Sequence, residues 1–442
     1  EQLAANLNFG AFNKATELKK RLWFTLGALI VYRLGTYIPL PGIDPVILQD
    51  IFRQQAGGIL GMFNMFAGGA LGRMTIFALN IMPYISAAII MQLMSSVSPK
   101  LEALKKEGEQ GQKKINQYTR YGTVILATVQ AYGISVGMEG MTSSTGPVVL
   151  DPGVFFRAST VITLVGGTLF LMWLGEQITA RGVGNGISLI IFSGIVAELP
   201  SALAATLELG RTGAISALVI VGILVMVAAV ITFIVFVERA QRRLIVQYPK
   251  RQMGNRMYGG ESSHLPLKIN TPGVIPPIFA SALLLMPVTV AGFSAGQGPE
   301  WMTMITAHLG RGQPVFLILY ASLIIFFAFF YTAVVFNPTD TADNLKKYGG
   351  FIPGIRPGKN TADYLDYVLT RLTVVGASYL TLISLLPEML ISKFAVPFYF
   401  GGTSLLIVVT VTMDTVAQVQ SHLLAHQYEG LIKKSRLRGR QR

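Results

Sequence analysis

Apolar and polar positions along this chain alternate in long blocks, not in short periods. Ten blocks are apolar runs of about 20 residues, the length a helix needs to cross the hydrocarbon core of a bilayer. They fall at 22–40, 74–96, 118–138, 154–174, 187–205, 213–237, 274–293, 314–336, 372–390 and 401–420. All are expected as helices, because a lone strand leaves its backbone polar groups unsatisfied in lipid. Gly166 and Gly167 lie inside the fourth run. They serve either close helix packing or nothing beyond the ordinary tolerance of glycine in membrane helices.

The polar blocks take turns being rich and poor in Lys and Arg. The rich set is the N-terminal tail, 97–121, 175–186, 238–270, 337–371 and the tail after Tyr428, together holding 29 of the 36 basic residues. The intervening gaps hold only Arg53, Arg73, Arg211, Arg311 and Lys393. Positive loops stay in the cytoplasm, so both termini and two large basic loops, 238–270 and 337–371, are expected there. The net charge of +14 sits mostly in these loops. It reads either as a topology signal alone or as attraction to anionic lipids and an acidic partner.

Composition agrees with a membrane protein: 13% of residues are charged, against roughly 25% in soluble domains, and the mean hydropathy is +0.53. There is no cysteine, which excludes disulfides, thiolate metal sites and a cysteine nucleophile. His264, His308, His422 and His426 show no ligand spacing, and no cofactor is expected. The first run follows Lys19, Lys20 and Arg21 without a small-residue cleavage site, so it is read as a retained anchor.

Five runs precede the gap at 206–212 and five follow it. An odd number per half means that the halves enter the membrane from opposite sides; if they share a fold, they form an inverted repeat around a central path. One region breaks the pattern. The segment 59–72 has an apolar core too short to span, with glycines on both sides. It reads equally as a re-entrant segment enclosed by protein or as a helix lying on the outer surface.

Several ordered motifs carry a resemblance. Ile76-Phe77-Ala78-Leu79-Asn80-Ile81-Met82-Pro83-Tyr84-Ile85-Ser86, with the preceding Met62-Phe63-Asn64-Met65-Phe66, resembles the second helix and approach segment of the SecY family of bacterial protein-translocation channels. Trp173-Leu174-Gly175-Glu176-Gln177-Ile178-Thr179 and Gly184-Asn185-Gly186-Ile187-Ser188 resemble its link between helices four and five. Thr341–Lys347 and Pro353-Gly354-Ile355-Arg356-Pro357-Gly358 resemble its last large cytoplasmic loop, and Phe398–Ile407 its tenth helix. The likeness runs from about Leu18 to the C-terminus and is weak in 139–152 and 294–312.

The resemblance implies an all-α multispanning membrane protein of about ten transmembrane helices. Two inverted five-helix halves, 1–205 and 206–428, would close like a clamshell around a pore, with a basic tail at 429–442. It implies a ring of Ile81, Ile85, Ile191, Ile275, Ile278 and Ile407 at the waist. Such a ring suits the task, since a narrow apolar constriction dewets and blocks ions. Taken one by one, these isoleucines read as lipid-facing or core residues. The tie over 59–72 resolves to a plug half-helix containing Leu60, Met62, Phe63, Asn64, Met65, Phe66, Gly68 and Gly69. Ser86, Gln92 and Asn185 are polar residues of the spans. They become a lateral-gate cluster between helices two and seven, or equally interhelical hydrogen bonds.

Arg242, Arg243, Lys250, Arg251, Arg256, Lys346, Lys347 and Arg356 would dock the SecA ATPase or ribosomal RNA. SecE-type and SecG-type small subunits, anionic lipids, unfolded preproteins and nascent membrane proteins complete the implied partners, in the bacterial plasma membrane. The role implied is passage of unfolded chains across the membrane and sideways release of transmembrane segments into lipid. Arg33 is expected to snorkel to the outer interface, and Asp414 to line a wet inner vestibule. The alternatives are a secondary transporter, for which Asp414 is nearly the lone intramembrane carboxylate seen, and a membrane enzyme, for which no Walker A, HExxH or GxSxG motif is present.

Overall fold

The computed structural model describes residues 13–54, 64, 67–258, 260, 262–293, 299–309, 313–394 and 402–439. Each of the ten apolar runs falls on a helix. In chain order the helices are α1 (Thr16–Gly35), α2 (Pro45–Gln54), α3 (Ala70–Arg73), α4 (Met82–Val97), α5 (Pro99–Lys106), α6 (Glu109–Glu139), α7 (Val154–Arg181) and α8 (Gly186–Arg211). They continue with α9 (Ala217–Arg239), α10 (Ile275–Phe293), α11 (Glu300–His308), α12 (Pro314–Val335), α13 (Pro338–Lys347), α14 (Lys359–Phe394) and α15 (Gly402–Gly439). Six of them (α7, α8, α9, α12 with α13, α14 and α15) are long and apolar enough to cross a membrane by length and composition, and α4 and the start of α10 are shorter apolar helices.

The second run departs most from expectation. Its helix begins only at Met82, and 74–81 is a chain of turns. Met74 and Asn80 hold positive φ, 44° and 50°. Pro83 lacks a backbone N–H and belongs at the first helical turn, which fixes the helix start there. The turns are buried: Met74, Thr75, Phe77, Ala78, Leu79, Asn80 and Ile81 are each at most 3% exposed. Irregular backbone at membrane depth is tolerated only when protein covers it in this way. Gly167 of α7 makes that cover possible. A Cβ there would lie 2.0 Å from the Ile76 carbonyl oxygen, whereas Gly166 meets nothing within 4 Å. Of the two adjacent glycines, close packing requires only Gly167.

The helices pack in two sets. In one, α4, α6 and α7 pack together, α8 lies on α7, and α1 lies on both α7 and α8. In the other, α12 lies between α10 and α14, and α15 contacts α9 and α14. The sets meet where α4 and α6 touch α10, where α8 touches α9 and α15, and where α1 touches α15. One buried apolar cluster runs through both.

The basic loop 238–270 is not featureless. Strands β3 (Gln241–Gln247) and β6 (Ser262–Lys268) pair antiparallel, with Leu244 opposite Leu265. At their far end β4 (Arg251–Met253) and β5 (Arg256–Tyr258) form a tight hairpin across Gly254-Asn255. Here β1 and β2 denote the short pair Thr142–Ser143 and Gly146–Pro147. The second basic loop joins the hairpin, because Gln247 and Phe351 exchange both backbone bonds, at 2.9 and 3.0 Å. Leu244, Val246 and Leu267 of the hairpin, Ile352 of the loop, and Leu365 and Val368 of α14 share a separate apolar core. Sequence reading treated these as two loops; together they form one small folded unit. The period-two alternation of Leu244 and Val246 with exposed neighbours was the available signal.

Candidate functional site

The six isoleucines come from distant stretches of the chain. Ile81 ends the turn chain and Ile85 lies in the first turn of α4. Ile191 lies in α8, Ile275 and Ile278 in the first turn of α10, and Ile407 in α15. Ile81, Ile85, Ile191, Ile278 and Ile407 are 0–8% exposed and belong to one buried cluster, with Ile275 packed against it. None of these five faces outward. The late start of α4 at Met82 and the prolines Pro276 and Pro277 at the start of α10 set which side chains reach this depth. A relay of hydroxyls lies one turn away. Ser281 and Tyr320 are 3.2 Å apart, and Tyr320 and Thr403 3.0 Å, linking α10, α12 and α15.

Of the plug residues, Leu60, Met62, Phe63, Met65 and Phe66 lie outside the described residues. Asn64, Gly68 and Gly69 are within them and are firmly held. Asn64 accepts from the Gly72 amide through its side chain (2.6 Å) and from the Gly69 amide through its carbonyl (2.8 Å). Gly68 and Gly69 are consecutive left-handed residues, with φ of 66° and 82°, a conformation that glycine adopts at no steric cost.

Arg33 is tied to a neighbouring segment. Its Nη1 donates to the Gly68 carbonyl at 2.7 Å, and Arg73 Nη2 donates to the same oxygen at 3.0 Å. Arg73 Nε also donates to Thr36 O at 3.1 Å. The Tyr37 ring lies 5.0 Å from the Arg33 guanidinium and 4.2 Å from that of Arg73, a cation–π arrangement for both. A Cβ on Gly69 would sit 2.8 Å from both Arg73 Nη1 and Glu198 Oε1, so the glycine admits this charge pair. Glu198 lies within the fifth apolar run, and the sequence reading passed over it. An ionisable residue at membrane depth was the signal that could have found it.

The polar residues of the spans separate. Ser86 is buried on α4. Gln92, six residues further along, buries its side-chain oxygen without a hydrogen-bond partner among the described residues. Asn185 instead caps α8, its Oδ1 accepting from the amides of Ile187 (3.1 Å) and Ser188 (3.4 Å). That cap accounts for its carboxamide locally. Asp414 is exposed on α15, with Lys268 as a charged neighbour.

Arg242 and Arg243 on β3, Lys250 beyond it, Lys346 and Lys347 in the last turn of α13, and Arg356 are all exposed. The backbones of Arg251 and Arg256 form β4 and β5, and their side chains lie outside the described residues. Gly354 and Gly358, with φ of 83° and 103°, make the turns that set Arg356 at a tip. These cations therefore share the single folded unit built on β3, β6 and the 348–355 segment.

The family model described as SecY matches residues 75–416. A protein translocase subunit SecY from Rickettsia conorii is 57% identical over 422 residues, covering 96% of this chain and 97% of that protein. Among solved structures, one titled as the structure of a protein conducting channel is similar with a TM-score of 0.64 at 16% identity, covering 92% of each chain. Sec61 in the canine ribosome-channel complex from the endoplasmic reticulum is similar with a TM-score of 0.62 at 16% identity, again over 92% of each chain.

Proposed function

The chain belongs to the SecY family, and from that membership and the geometry above we infer how it works. It is a protein translocase subunit that forms a protein-conducting channel, not an enzyme, and a multi-pass protein of the plasma membrane. The secondary-transporter alternative finds no support in the family match.

The seal of the channel is the cluster of Ile81, Ile85, Ile191, Ile275, Ile278 and Ile407. The observation that carries this reading is their burial in one apolar cluster although they come from four separate stretches of chain. Branched aliphatic side chains ask for no hydrogen bonds, so they close around an arbitrary peptide and dewet when it leaves. The two helix sets are the inverted halves, which divide after α8 at Arg211 and not at 205, because α8 runs unbroken through 206–211. Segment 59–72 is the plug, entered through Asn64 and left through the Gly68-Gly69 turn. The lateral gate is the seam where α4 meets α10, with Ser86 and Gln92 on its α4 side. Transmembrane segments of a passing chain leave through that seam into lipid.

The folded unit carrying Arg242, Arg243, Lys250, Arg251, Arg256, Lys346, Lys347 and Arg356 is the docking platform, on the cytoplasmic side with both termini. Arg forks onto phosphate and carboxylate, which fits ribosomal RNA and an acidic face of the motor ATPase SecA. The canine Sec61 relative is titled as part of a ribosome-channel complex, which supports the first of these. SecE-type and SecG-type subunits cover outward faces such as α9, where Ile234 alone is buried. Anionic lipids meet the basic loops.

Reconstitution with SecA and a SecE-type subunit tests the whole. Added ATP is expected to move a signal-bearing unfolded chain into protease protection. Equal protection in vesicles lacking this chain would defeat the reading.

A further inference from the structure

The folded basic unit is fastened to the start of α10 at one point. Asn270 Nδ2 donates to Glu238 Oε1 at 2.7 Å and to the Gly273 carbonyl at 3.3 Å. Glu238 is the penultimate residue of α9, where the chain leaves for β3. Asn270 stands where the chain returns from β6, five residues before α10 begins. The bond therefore closes the root of the hairpin. The ladder continues into it, since the Ile269 amide donates to the Ala240 carbonyl at 3.3 Å.

The setting is tight. Asn270 is 2% exposed, and its Oδ1 has no hydrogen-bond partner among the described residues. The short bond to Glu238 is thus its principal tie, and an amide donor to a carboxylate is among the stronger hydrogen bonds. Tyr379 of α14 donates to the same Glu238 oxygen at 3.5 Å. Gly376, one turn before it, brings α14 against the root; a Cβ there would lie 2.7 Å from the Ile269 carbonyl. Lys268 and Asp414 are the charged neighbours of Glu238.

We propose that Glu238 and Asn270 are positioning residues that transmit displacement of the basic hairpin to α10, the helix that closes against α4. A partner docked on β3 and β6 pulls on the root. The root has few soft points, because ladder, buried amide and α14 all meet there. Movement of the hairpin thus reaches Gly273 and the first turn of α10, which carries Ile275 and Ile278. This rests on the docking reading given above. It adds the path by which docking reaches seal and gate.

The test uses the full chain with its SecE-type subunit. The chain has no cysteine, so spin labels at Ile90→Cys on α4 and Leu283→Cys on α10 report the distance across the seam. Glu238→Gln and Asn270→Asp each spoil the pair, the first by removing the charge and the second by removing the donor. The double variant restores the amide–carboxylate bond between the two side chains with roles exchanged and no change of size, and gives up only the longer 3.3 Å bond to the Gly273 carbonyl. Each single variant is expected to bind SecA within about twofold of the parent, to broaden the resting distance distribution, and to lose its shift on SecA binding. Transport is expected to fall about tenfold. The double variant recovers all three. Single variants with parent-like distances, or a double variant as defective as the singles, overturn the proposal. If the singles are not recovered from membranes, the double variant alone decides, parent-like behaviour supporting the pair and defective behaviour sinking it. The resting distribution is read with no partner, so a parent that fails to bind SecA defeats the docking reading and leaves this measurement standing.

Discussion

Arg33 Nη1 donates to the carbonyl oxygen of Gly68 at 2.7 Å, joining the first long helix to a turn 35 residues later in the chain. Arg73 donates to the same oxygen, so two guanidinium groups hold one carbonyl. Like charges converge there only because Glu198 and the Tyr37 ring offset them. The turn at Gly68 is therefore held from two sides.

Arg33→Met keeps an unbranched stem and removes the guanidinium donors. A hydrogen bond to a charged group contributes about 1.5–3 kcal/mol. Amide exchange in 64–73 is expected to quicken about tenfold or more, while α6 and α7 stay as protected as in the parent. Unchanged exchange would mean that Arg73 holds the turn alone.

Replacing Ile407 with Asn places a hydrated amide in the apolar cluster. Water is then retained where it would leave, and the closed channel is expected to conduct ions and pass weaker signal sequences. Ile407 is 1% exposed, so an unpaired amide there costs about 1–3 kcal/mol, and folding is expected to persist at reduced stability. Planar-bilayer recordings decide it. A correctly inserted variant as silent as the parent would count against the seal.

Orientation is checked with Lys250→Cys. The chain lacks cysteine, so labelling reports this position alone. An impermeant thiol reagent is expected to react only after cell lysis, whereas cysteines placed in 139–152 react in intact spheroplasts. Reaction at position 250 in intact cells would reverse the orientation.

The Arg356 side chain is exposed at a turn tip, while its backbone carbonyl accepts from Thr361 Oγ1 at 2.9 Å, a bond that a side-chain change leaves in place. Arg356→Glu is expected to leave stability within about 0.5 kcal/mol of the parent, as surface charges generally do. SecA- or ribosome-dependent transport is expected to fall severely. Normal ATP-driven export by this variant would reduce the basic loops to a topology signal.

Glu139 at the end of α6 accepts from Arg157 Nε (2.9 Å) and Nη2 (2.7 Å) and from the Gly153 amide (3.1 Å). Its side chain is 11% exposed. Hydrogen bonding from Arg157 holds its carboxyl below the ordinary carboxylate range. The contribution is therefore complete above the unfolded glutamate value of about 4.3 and is lost as pH falls through the lower folded value. Protection of the Gly153 amide, corrected for intrinsic exchange, is expected to hold from pH 8 to 5 and to decline below about 4. Glu139→Gln should flatten that decline. The same acid loss in the variant would assign it to another group.

The sequence by itself determined which stretches are helices, because blocks of about 20 apolar residues have no other stable form in lipid. It also determined the alternation of charge along the loops, and its motifs were specific enough to point to the family. It did not determine which way each helix turns. Lipid tails and the protein interior are equally apolar, so Ile81 and Ile407 read the same in composition as Ile125 or Ile162, which lie on the outer surface. Only packing separates them. The same holds for Gly166 and Gly167, identical neighbours of which one alone meets the Ile76 carbonyl. Charge at membrane depth shows it most sharply. Nothing in the sequence says what Arg33 will meet; the fold brings the Gly68 carbonyl and Tyr37 to it, and Arg73 to the same carbonyl. The two basic loops became one unit for a related reason. Leu244, Val246 and Ile352 sit in water-facing segments, where burying them together is favourable, yet nothing local says that residues about a hundred positions apart will pair. Periodicity and composition are local properties; which faces meet is settled by contacts between segments far apart in the chain.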